Sequence, residues 1–77
     1  MTRPISAIAR DIDRAWPKVN YAAAPYLGAM LSLNRIADSY YDDTGETVVR
    51  YFLANASTFR GDAARALKAE LKAALGE

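Results

Sequence analysis

YAAAPYLGAMLSLNRIADSYY, residues 21–41, decides the architecture. Tyr26, Leu27, Met30, Leu33, Ala37 and Tyr41 fall on one face of an α-helix. This spacing predicts a helix over 21–41, with Asn20 as its candidate cap. Pro25 leaves the start open, because proline suits only a first helical turn. Leu31 and Ile36 lie off the shared face, on opposite sides. So wide an apolar arc implies burial from more than one direction. Either this helix is central, or its outer side meets a second copy of the chain. Gly28 and Ala29 would permit close backbone approach. Asn34 projects from within the apolar face and needs a hydrogen-bond partner if buried.

Upstream, Ile5, Ile8, Ile12 and Trp16 recur at helical spacing, with Ala9 and Ala15 beside them and Arg10, Asp11, Asp13 and Arg14 opposite. Thr2 is a candidate cap and Pro4 fits an early helical position. Pro17 disfavours helical geometry at Trp16, so the first helix should stop there. Arg10–Asp13 and Asp11–Arg14 are spaced to pair along the helix. Downstream, YYDDTGET (residues 40–47) is the clearest break. Asp42 or Asp43 is the expected cap of a third helix over about 44–55, and Asp43 with Glu46 has capping-box spacing. Val48, Val49, Phe52, Leu53 and Ala56 form its apolar stripe, with Arg50 and Ala54 facing away.

Asn55, Ser57 and Thr58 are residue types that stop one helix and cap another. Ala64, Leu67, Leu71 and Leu75 mark a fourth helix. The tripeptide Arg60-Gly61-Asp62 falls in or just before its first turn. There Asp62 complements the positive helix end, and an adhesion ligand would instead need an extended loop tip. The expected fold is all-α: a compact bundle of three to four short helices, one domain over 1–77. Short connections should leave sequential helices roughly antiparallel.

A chain of 77 residues buries only about 60% of its unfolded surface, and one such core supplies roughly 3–5 kcal/mol. There is no Cys to form a disulfide and no His, the commonest general base near neutral pH. Helix quality and self-association remain as sources of stability. Ten basic and nine acidic residues give a net charge of +1, too balanced for a strongly nucleic-acid-binding domain. The longest apolar run is shorter than the about 20 residues that span a bilayer. The expected location is the cytoplasm. The Asn55-Ala56-Ser57 glycosylation pattern has no secretory context.

No catalytic residues, metal ligands or cofactor emerge. No hydrolytic triad is available, no glycine loop cradles phosphate, and Asp38, Asp42, Asp43 and Glu46 lack calcium-loop spacing. Three binding readings stay open. Tyr21, Leu31, Ile36, Tyr40 and Tyr41 are candidates for an interface, in a chain with five Tyr and one Trp. Arg50, Tyr51, Asn55 and Arg60 are candidates for an anion or nucleotide, with Arg60, if helical, on the side of Leu67 and Leu71. Arg65, Lys68 and Lys72 form a basic row that could meet nucleic-acid phosphates, although such side chains also cover the rim of a core.

RPISAIAR (residues 3–10), APYLGAM (24–30) and YFLANASTFRGDAARALKAEL (51–71) resemble small uncharacterised proteins encoded by actinobacterial phages and prophages. The resemblance brings no catalytic or ligand-binding residues with it. It implies a compact accessory protein that binds a host factor or another phage component. The reading favoured here is a non-catalytic helical interaction protein that self-associates, preferably as a dimer. An anion- or nucleotide-binding module of an oligomer and a weak nucleic-acid binder are the alternatives.

Overall fold

A computed structural model describes residues 3–76. These residues form four helices: α1 (Ile5–Ala15), α2 (Ala24–Met30), α3 (Gly45–Ala54) and α4 (Asp62–Ala74). Between α2 and α3 lie two short strands, β1 (Ser39–Tyr40) and β2 (Asp43–Thr44). They pair antiparallel, Ser39 with Thr44 and Tyr40 with Asp43. The fold is therefore mostly helical but not purely α. α1 packs on α4, and α2 on α3, with α1 touching α2.

α1 follows its sequence pattern. Ile5, Ile8, Ala9 and Ile12 are buried, and the helix ends at Trp16 ahead of Pro17, although Ala15 is exposed. Pro4 occupies the N-cap; Thr2, the expected cap, lies outside the described residues. Asp11 pairs with Arg14 at 3.4 Å, but its closer partner is Arg3, at 2.7 Å. Arg10 and Asp13 form no ion pair among the described residues.

The long second helix is the main departure. Pro25 sits in the first turn of α2, and the helix stops at Met30. Asn20 caps the turn before it, its Oδ1 accepting from Ala23 N at 2.8 Å, while its Nδ2 donates to Asn55 O and Thr58 Oγ1. Beyond Met30 the backbone polar groups go elsewhere. Leu33 and Asn34 carbonyls accept from Ser6 N (2.7 Å) and Ile5 N (3.0 Å), at the start of α1. Ile36 and Asp38 carbonyls accept from Glu46 N (3.1 Å) and Gly45 N (2.6 Å), at the start of α3. First-turn amides have no partner inside their own helix. Residues 33–38 thus cap two helices at once. Asp38 holds that segment bent: its Oδ2 accepts from the backbone N–H of both Asn34 and Arg35. Asn34 is exposed, and its side chain accepts from Ser6 Oγ.

The same rearrangement moves three other expectations. Leu27, Met30 and Leu33 reach the core, but Ala37 and Tyr41 are exposed, because no helix carries them inward. Gly28 has open space where a Cβ would stand, so it serves no close approach. The cap of α3 is Thr44, whose Oγ1 accepts from Thr47 N at 3.2 Å. Asp43 is committed to the ribbon instead.

The remaining core is aromatic and aliphatic. Trp16 stacks on Phe59 (4.9 Å between centroids) and meets Phe52 edge-on (6.2 Å), with Val48, Val49, Leu67 and Leu71 around them. α4 begins at Asp62 after Gly61, whose φ of 108° favours glycine. Arg60-Gly61-Asp62 is thus the start of a helix.

Candidate functional site

The ribbon presents an exposed aromatic side chain at its turn. A two-residue turn, Tyr41-Asp42, joins β1 to β2, and Tyr41 has a φ of 55°. Hairpin turns of this kind favour Gly, Asn or Asp where φ is positive, and a bulky residue there is an outlier. Tyr41 is 88% exposed and meets Tyr40 edge-on at 4.7 Å. Tyr40 is itself partly buried against the core. Tyr21 (92%) and Leu31 (41%) are the other exposed residues of the candidate interface, while Ile36 is partly buried. A second aromatic pair bridges α2 and α3: Tyr26 and Tyr51 stack at 5.5 Å, and Tyr51 stays more than half exposed. Tyr26 escaped the sequence reading because its place on the apolar face marked it as core.

The four candidate anion ligands each have a local role. Arg50 Nε donates to Glu46 Oε2 at 3.1 Å. Tyr51 is engaged by Tyr26, and Asn55 ends α3 with its Nδ2 donating to Tyr51 O. Arg60 precedes α4, is exposed, and donates from Nε to Ser57 O at 3.3 Å. It does not join the face of Leu67 and Leu71, because the helix starts after it.

Arg60 instead meets the basic row. A hollow of about 250 Å³ is lined by Phe59, Arg60, Gly61, Ala64, Arg65 and Lys68. Lys68 Nζ donates to Phe59 O at 2.6 Å and sits 5.7 Å from the Phe59 ring centre. Burial, then the nearby charges of Lys72 and Arg60, hold the Lys68 ammonium below its ordinary pKa. Arg65 pairs with Asp62, and Lys72 is exposed. The signal for this grouping was available only in part: Arg65 and Lys68 are one turn apart, but the backbone that brings in Arg60 is not periodic.

The acids are occupied differently. Asp38 is a backbone clasp, and its carboxyl is held below the usual range first by the Arg35 and Asn34 amides. Among the described residues, no group of three acids is placed to hold a metal ion. Nor is any helix there long and apolar enough to cross a membrane. No protein-family model, curated protein or solved structure matches the chain.

Proposed function

We propose that this chain is a small non-catalytic interaction protein that self-associates, with a second copy covering the surface around Tyr41. The observation that carries the reading is Tyr41 itself. A non-glycine residue held at positive φ costs about 1–3 kcal/mol. The edge-on contact with Tyr40 offsets only about 0.5–1.5 kcal/mol of that. Most of the Tyr41 ring faces water. A tyrosine at a turn position suited to glycine makes sense as a contact to another molecule. Tyrosine supplies apolar area and a polar tip, the combination enriched at interfaces. Leu31 and Tyr51 add exposed apolar surface, and a net charge of +1 sets little repulsion between copies. The resemblance to phage and prophage proteins supports the setting: an accessory factor in a bacterial cytoplasm, its dimer docking on a host or phage protein.

Sedimentation equilibrium at micromolar concentration tests the reading, comparing the wild type with Tyr41→Gly. The expected result is a wild-type dimer and a monomeric variant that keeps its helical circular dichroism, with a Tm that no longer depends on protein concentration. A monomeric wild type, or a variant that still dimerises with unchanged affinity, would overturn it.

A further inference from the structure

Cations that sequence order separates are gathered at one hollow. Arg60 and Lys68 line it together with Arg65, and none of the six lining residues is acidic. Asp62 is the one acid between Asn55 and Ala69, and it is taken up by Arg65. We propose that this hollow binds a phosphate group.

The donors are set for it. Arg60 uses only Nε, toward Ser57 O, so its two terminal nitrogens have no partner among the described residues. Lys68 spends one N–H on Phe59 O and keeps two. Phe59 is buried and stacked on Trp16, so the wall that positions Lys68 is part of the core. Lys72 lies one turn beyond Lys68 and adds charge without lining the hollow. Cations this close repel one another. A bound phosphate would relieve that repulsion and accept charge-assisted hydrogen bonds. The volume is below the roughly 300–1,000 Å³ of pockets for drug-sized ligands. It therefore suits one phosphate group, whether free, on a nucleotide, or in a nucleic-acid backbone.

The test is an amide NMR titration of the full chain at constant ionic strength. The probes are inorganic phosphate, adenosine monophosphate and a short single-stranded DNA, with chloride as control. Saturable shifts at Gly61, Ala64 and Lys68 are expected with phosphate and not with chloride. Arg60→Ala and Arg65→Ala, both at exposed positions, should each weaken binding about tenfold or more, as loss of a hydrogen bond to a charged group does. The DNA arm distinguishes sources. Tighter, salt-sensitive binding that drops with Lys72→Ala identifies a nucleic-acid backbone; equal affinity for all three probes identifies a lone phosphate. Non-saturating shifts, the same shifts with chloride, or shifts unaffected by both arginine variants would overturn the proposal.

Discussion

At Gly45 a missing methyl group sets where α3 begins. A Cβ there would stand 2.8 Å from both the Arg35 and Ile36 carbonyl oxygens, which are backbone atoms that cannot swing aside. Gly45→Ala gains helix propensity, about 0.5–1 kcal/mol, but overpacks the site at about 1–3 kcal/mol. The expected net effect is a lower thermal midpoint, measurable by circular dichroism; an unchanged or raised midpoint would show that the loop yields. Tyr41 is the converse case. There the turn would accept glycine, and the chain keeps a large exposed ring. One position uses glycine to bring backbones together, and the other forgoes it to project a side chain.

At the scale of elements, residues 33–38 matter most. Asp38 clasps Asn34 and Arg35 and thereby presents four carbonyls to the starts of α1 and α3. Its carboxyl pKa is lower in the fold than the ordinary value of 3.8. The unfolded chain therefore takes up the proton first, and stability is fully present above about pH 4 and lost as pH falls through the folded value. Asp11, lowered chiefly by Arg3, acts in the same sense. Asp38→Asn should lower the Tm at neutral pH, and the gap to wild type should narrow below about pH 4. A gap independent of pH would show that the charge contributes nothing. The stripes of α1, α3 and α4 were legible because each is a local period: Ile5, Ile8 and Ile12, or Ala64, Leu67 and Leu71, bury as their spacing predicts. Residues 31–41 were not, because their apolar spacing continues that of α2 while Ser32, Asn34 and Asp38 compete for the backbone. The outcome was decided by amides far away in sequence, on Ile5, Ser6, Gly45 and Glu46. The site was legible to the same extent. Leu31 could be named from an over-wide apolar arc and Tyr41 from the chain's five tyrosines, but the positive φ that singles out Tyr41, and the meeting of Arg60 with Lys68, come from tertiary structure.

Across the whole molecule, distant parts of the chain close on one another. Arg3 bridges Asp11 at 2.7 Å and Glu70 at 2.8 Å, joining the chain's start to α1 and α4, and both carboxylates hold its pKa above the ordinary value. Trp16, Phe52 and Phe59 tie the end of α1 to α3 and to the link before α4. In this arrangement α2 is short, which frees the ribbon to stand out with Tyr41 at its tip. The proposed interaction surface thus depends on residues 33–38 being a cap and not a helix. Backbone NMR of the isolated chain tests that dependence most directly. Non-helical carbon shifts over residues 32–38, a positive φ at Tyr41 from its coupling constants, and slow exchange of the Ile5, Ser6, Gly45 and Glu46 amides are predicted. Continuous helical shifts from Ala24 through Tyr41 would contradict the account.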